Sequence, residues 1–252
     1  MNIPIDLRWI EAVSLASVRM VAFLIIAPPF SYNGIPAQIK GMLGIGLALA
    51  VAPQIVSTYH SGSTGDFLLA LVRELAVGAV LGFLVYLVFA AIQSAGSLVD
   101  LFGGFQIAQA YDPGAMINGA QFTRLFQMTA LALLFASGAY QLIIGGLVRS
   151  FTAMPLGTGL DLAASAKAMV DGVTQMFLSA VQIAGPLIVV LFLADVGLGL
   201  LTRVAPALNA FALGFPLKIM LTVVLAAVLF VALPGIVDSL TGTAVKTVMG
   251  VG

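Results

Sequence analysis

The side chains of this sequence that could do chemistry are few, and they are set inside oily runs. Arg19, the neighbours Arg73 and Glu74, Asp100, Asp195, Arg203 and Lys218 each fall within or at the end of an apolar stretch. Ionisable groups so placed either couple ion movement to transport or pair with partners inside a helix bundle. Arg19 lies about midway along the run from Trp9 to Ile26. Facing lipid there would cost at least ~2.5 kcal/mol, so it must face protein, a polar cavity or water. A structural pairing and a place on a conduction pathway are both open for it. Arg73 and Glu74 point about 100° apart on a helix and are not expected to neutralise one another. Each needs its own partner, and with so few internal charges those partners are expected on other chains. Asp195 and Arg203 stand about 12 Å apart along a helix and make no direct pair.

Covalent chemistry has little to work with. The chain has no cysteine, which excludes disulfides, thiolate metal sites and cysteine nucleophiles. Its single histidine, His60, sits by the turn SGSTG, where a solvated loop side chain is expected and no convergent metal ligands are in view. There is no phosphate-binding glycine loop of the P-loop type, and no nucleophile, base and orienting group are assembled. No catalytic residue, cofactor site or metal ligand is assigned, and an enzyme is not expected.

The elements that must position these groups are membrane helices. Of 252 residues, 61% are hydrophobic and 8% charged, which excludes a soluble fold. About 20 apolar residues span a bilayer, and the chain holds roughly six such segments with none left for a separate globular domain. They run from Trp9 to Ile26, Met42 to Val56, Phe67 to Ala95, Phe122 to Val148, Ala168 to Leu201 and Phe211 to Leu233. The expectation is an all-α membrane protein of proline- and glycine-kinked helical hairpins, one domain over residues 1–252.

Local signals refine the segments. The first is expected to stop at Ala27-Pro28-Pro29, and with Arg19 inside it and no clear cleavage site it reads as a retained segment, not a signal peptide. Gly41, Gly44 and Gly46 in the second, and Gly78 and Gly82 in the third, permit close helix contact. Asp66 is expected to cap the third helix, starting at Phe67. The fifth segment would be about 50 Å long if straight, so it must tilt, break or leave the bilayer, with Gly185-Pro186 as the place to break. After Pro234 a short polar tail is expected. Ten basic and ten acidic residues give no net charge and no run of like sign, so no nucleic-acid partner is expected. The basic residues are spread too evenly for the positive-inside rule to orient the chain. No internal repeat of the kind found in many transporters is visible.

The stretch from Gly96 to Arg124, polar and glycine-rich between two apolar runs, is the candidate functional region. Ser97, Asp100 and Gly104 share one helical face while Leu98, Leu101, Phe102 and Phe105 crowd the other. Gly103-Gly104 then loosens the helix, and Asp-Pro-Gly and Asn-Gly signal a loop. An ordinary connection between spans and a re-entrant or pore-plugging loop are both open; in the second reading Phe105, Ile107, Met116 and Ile117 are apolar groups able to seal an opening.

Four motifs in order carry a resemblance over nearly the whole length: RELAVGAVLGF from Arg73, AGSLVDLFGGFQIAQAYDPG from Ala95, SFTAMPLG from Ser150 and LGLLTRVAPALNAFALGFPLKI from Leu198. On these the chain resembles the flagellar biosynthetic protein FliR family, whose relatives in injectisomes are the T-type export-apparatus proteins. The phrase LGFPLK favours the flagellar branch. Ala207 replaces a usual glutamine, and Ala139-Tyr140 stand where a histidine is common, which puts in doubt any role needing an amide or imidazole there.

The resemblance implies a single-copy subunit of a type III export gate in the bacterial inner membrane, at the flagellar basal body. It implies assembly with the P-type and Q-type membrane proteins and the B-type switch protein, in contact with lipid, to pass unfolded flagellar substrates with energy supplied by other components. The family's loop matching Gly103 to Gln121 is a plug. Carried over, Phe105, Ile107, Met116 and Ile117 are sealing groups, Gly103 and Gly104 hinges, and Asp100 an anchor. Arg73, Glu74, Asp100, Arg203, Pro206, Asn209 and Lys218 are expected to hold helices and neighbouring subunits together, with Lys218 near an interface. The alternative from another class is an autonomous ion-coupled secondary transporter using Arg19, Glu74 or Asp195.

Overall fold

The structure is a computed structural model that describes residues 6–32, 34–105, 121–205 and 210–248, without the side chains of 210–213, 241 and 243–248. The described residues form seven helices and no strand: α1 (Leu7–Ile26), α2 (Ala37–Ile55), α3 (Thr64–Phe102), α4 (Gln121–Ala136), α5 (Ala139–Ala153), α6 (Leu162–Val204) and α7 (Ala210–Val248). Five described helices are long and apolar enough to cross a membrane, or six if the α4–α5 pair is counted as one broken span. The all-α membrane fold expected from composition is therefore the one adopted.

Helix ends follow local chemistry. Asp6 caps α1 by accepting from the Arg8 amide at 3.0 Å, and the helix stops where the Ala27 amide donates to Phe23 O at 2.8 Å, just before the two prolines. The cap of α3 is Ser63, not Asp66. Ser63 Oγ accepts from the Asp66 amide at 3.3 Å, while Asp66 Oδ2 accepts from the Ser63 amide at 3.0 Å and hydroxyl at 2.7 Å. This reciprocal capping box starts the helix at Thr64.

Three expected boundaries are corrected. The run from Phe122 to Val148 is two helices, because Gly138 adopts φ 73°, a left-handed value that ends a right-handed helix. Conversely, α6 continues through Gly185-Pro186 for 43 residues, and α7 continues through Pro216 and Pro234 to Val248. A proline removes one helical donor, but abandoning the helix in an apolar medium would strand several more backbone groups. Continuing costs less than stopping. The helical character of the central stretch begins as expected, with α3 running unbroken to Phe102.

Contacts divide the chain into two compact units. The first comprises Met1–Val88, Gly138–Val173 and Leu240–Gly252; the second comprises Phe89–Ser137 and Thr174–Ser239. In the first, α1 lies against α3 at the two expected glycines. A Cβ on Gly78 would run into the carbonyl of Arg19, and one on Gly82 would stand 3.1 Å from Phe23 O. Gly44 of α2 meets Val21 equally closely, but Gly41 and Gly46 face open space and make no helix contact. Leu15, Met20, Phe23 and Leu24 are buried here, and Tyr59 joins Ala12, Leu15 and Ala70 in a cluster beneath the loop that follows α2. Tyr59 Oη donates to Glu11 at 3.2 Å, and burial, reinforced by the Glu11 charge and hydrogen bond, pushes its phenol above the usual tyrosine range.

In the second unit the core is Ile92, Val99, Phe126, Leu134, Leu187, Leu191 and Leu233. Its surface is oily. Phe192, Leu193, Val223, Val228 and Val231 are all exposed, and the apolar window of α7 has mean hydropathy 2.7 with 17% of it buried. A helix this apolar and this little covered is placed against lipid or other protein, not water.

Candidate functional site

The first polar centre is built on Arg19, which is completely buried in the first unit. Its Nε donates to Glu74 Oε2 at 2.6 Å, Nη1 to Ser150 Oγ at 3.2 Å and Nη2 to the Met154 carbonyl at 2.9 Å. The guanidinium also lies 4.2 Å over the Phe151 ring. Glu74, equally buried, uses its second oxygen to accept from the Gly157 amide at 2.9 Å, and Arg73 Nη1 donates to the Gly157 carbonyl at 2.9 Å. The adjacent pair thus holds one glycine by both its amide and its carbonyl. Gly157 has φ 78°, a left-handed value that favours glycine in the grip.

Arg73 and Glu74 do have separate partners, as their helical directions require. Those partners lie on this chain, however, which corrects the expectation of partners elsewhere. The pairing Arg19–Glu74 closes about the segment SFTAMPLG, so that two of the four sequence motifs meet at one buried knot. Ser150, the Met154 carbonyl and Gly157 were not assigned roles from sequence; only their motif stood out.

The second centre is Asp100, also completely buried, in the second unit. Its Oδ1 accepts from the Phe122 amide at 3.0 Å, and its Oδ2 accepts from the Thr123 amide at 2.8 Å and the Thr123 hydroxyl at 2.9 Å. Asp100 therefore caps the start of α4 from the last turn of α3, a carboxylate placed at the positive end of a helix. The close approach depends on Gly96, one turn earlier, where a Cβ would lie 2.7 Å from Phe122 O and from Thr123 Cα.

Glycines finish the arrangement. A Cβ on Gly103 would stand 2.8 Å from Thr222 Oγ1 of α7, and Gly104 turns the chain with φ 80° over the ring of Phe215. Phe105 meets Phe122 edge to face at 5.2 Å between centroids, and Phe122 meets Phe126 at 6.4 Å. Asp100 and these rings join the residue runs on either side of 106–120. Ile107, Met116 and Ile117 lie outside the described residues, as do Pro206 and Asn209.

Lys218 bonds Asp195 Oδ1 at 2.6 Å, with the two side chains 22% and 46% exposed, so α6 and α7 carry an ion pair among apolar neighbours. Arg203, which spacing alone already separates from Asp195, is exposed in the last turn of α6. His60 is exposed in its loop. Among the described residues no group of three His, Cys, Asp or Glu side chains converges to hold a metal ion.

These features define a class: a membrane-embedded helical protein whose interior charges are spent on fixing helix against helix and on pinning the flanks of one glycine-rich segment. Residues 10–244 match the model of the family described as bacterial export proteins, family 1, and the chain belongs to that family. It is 30% identical to the flagellar biosynthetic protein FliR of Escherichia coli K12 over 224 residues, covering 88% of this chain and 85% of that one. It is 30% identical to the FliR protein of Bacillus subtilis 168 over 226 residues, covering 87% and 85%. It is 29% identical to the Yop proteins translocation protein T of Yersinia pestis over 206 residues, covering 79% and 78%. The protein is a membrane component of a bacterial export apparatus.

Proposed function

We propose that the whole chain, residues 1–252, acts as one single-copy subunit of the flagellar type III export gate in the bacterial inner membrane. Together with P-type and Q-type membrane proteins, and with the B-type switch protein, it forms and seals the pore through which unfolded flagellar substrates cross. It performs no covalent chemistry. The family match and the flagellar names of its relatives support the placement. The observation that carries the sealing role is the Asp100 clasp, which joins α3 to the start of α4 across the segment 106–120. In this reading Gly103 and Gly104 are the hinges, and Phe105, Ile107, Met116 and Ile117 close the opening.

Arg73, Glu74, Arg203, Pro206, Asn209 and Lys218 serve the assembly. Ion-coupled transport by a solitary chain draws no support from Arg19, Glu74 or Asp195, since all three are engaged in ion pairs. Co-expression with the P-type and Q-type proteins tests the reading. Purification is expected to yield a large complex containing one copy of this chain. A stable solitary chain that moves a small solute across liposomes would overturn it.

A further inference from the structure

The Lys218–Asp195 ion pair sits on a face of α7 that has a second contact. One helical turn before Lys218, Gly214 lets α7 approach α6, where a Cβ would stand 3.4 Å from Leu198 Cδ1. Phe215, Lys218 and Thr222 are spaced i, i+3 and i+7, so they share one face of α7. The Thr222 hydroxyl, completely buried, donates to the Lys218 carbonyl at 2.7 Å. The residue that makes the ion pair therefore also orients the hydroxyl that faces α3.

That contact falls at the end of α3. Thr222 Oγ1 would lie 2.8 Å from a Cβ on Gly103, and two ring carbons of Phe215 would lie 3.4 Å from one on Gly104. Asp100 stands three residues before Gly103, in the same turn, and the Gly103 amide donates to Val99 O at 2.9 Å. The turn that α7 braces is thus the turn that carries the clasp on α4.

The clasp tolerates little displacement. Its three bonds are 2.8, 2.9 and 3.0 Å long, and a hydrogen bond is lost beyond about 3.5 Å, so a shift of less than about 1 Å breaks it. Packing holds α7 thinly, with 17% of its apolar window buried. An ion pair among apolar side chains is a strong tether, because little water competes for either charge. Phe192 and Val196 flank Asp195 on α6 and are exposed, and Asp195 itself is 46% exposed, whereas Asp100 is completely buried.

We propose that the Lys218–Asp195 pair is a latch on the Asp100 clasp. These two positioning residues, reachable from the surface, keep the Phe215–Thr222 face of α7 against Gly103-Gly104 and so hold Asp100 at the start of α4. The inference does not depend on the pore-sealing reading, since its readout is an amide and not a leak. The test is hydrogen exchange of the full-length chain in detergent at the Phe122 and Thr123 amides, with the Gly157 amide of the first unit as reference. Lys218→Gln and Asp195→Asn touch neither clasp amide, yet each should speed exchange at Phe122 and Thr123 about tenfold and leave Gly157 unchanged. Asp195→Asn alters a half-exposed side chain without changing its shape, and it carries the test where Lys218→Gln does not fold. The double variant should exchange no faster than the faster single one, because both changes open the same latch. Lys218→Arg should keep the native protection. Unchanged exchange at Phe122 and Thr123 would overturn the proposal, as would loss of protection in Lys218→Arg. Equal acceleration at Gly157 would mark a general loss of stability, and additive effects in the double variant would mark two unrelated contributions; either would also overturn it.

Discussion

At the scale of single residues, the interior charges of this chain divide by what satisfies them. Arg19 and Glu74 are fully buried and share an ion pair with further hydrogen bonds on both sides, so removing one partner strands the other. Arg19→Met or Glu74→Gln alone should cost roughly 3–5 kcal/mol in unfolding measured in detergent, with the double variant costing clearly less than the sum. Additive losses would mean that the pair is not a coupled unit. Asp100 differs because its partners are amides and a hydroxyl. Asp100→Ala should cost about 0.5–2 kcal/mol, as for loss of a helix cap, and should speed hydrogen exchange at Phe122 and Thr123, while Asp100→Asn should retain part of the protection. Unchanged exchange at those two amides would show that the clasp does not hold the start of α4.

At the scale of elements, most of what the sequence made legible concerned apolar runs and backbone punctuation. The α1–α3 contact was readable in the spacing of Gly78 and Gly82, and the end of α1 in its two prolines, because both signals act locally. Pro186 and Pro234 misled, since a proline's local penalty is outweighed by the backbone groups that a broken helix leaves unpaired in an apolar medium. Gly138 was passed over as one small residue in an oily run, since nothing in its neighbours' types marks the left-handed φ it adopts. Two glycines predict different outcomes. A Cβ on Gly138 meets nothing within 4 Å, so Gly138→Ala should cost only the conformational penalty, roughly 1–2 kcal/mol in unfolding measurements. Gly96→Ala collides with backbone at 2.7 Å and should cost more; equal costs would contradict the close crossing of α3 over α4.

At the scale of the molecule, the sites came from pairs that no spacing rule joins. Arg19 and Glu74 are separated by 55 positions, and Asp100 and Phe122 by 22. The sequence showed that each charge needed a partner, but the choice of partner depends on how the helices pack. The motifs were visible as unusual segments, and the structure turns RELAVGAVLGF and SFTAMPLG into two halves of one knot. The Lys218–Asp195 pair was missed for the same reason, because α6 and α7 meet only in three dimensions.

The segment flanked by the Asp100 clasp is proposed to seal an export pore, and the ion conductance of the assembled complex tests that role. Deleting Gly104 to Ala115 leaves Asp100, Phe122 and Thr123 in place and removes much of the proposed seal. In planar bilayers or liposomes, the complex carrying this deletion should leak small ions well above the native complex, with its subunit composition unchanged. A normally assembled complex whose permeability matches the native one would contradict the claim.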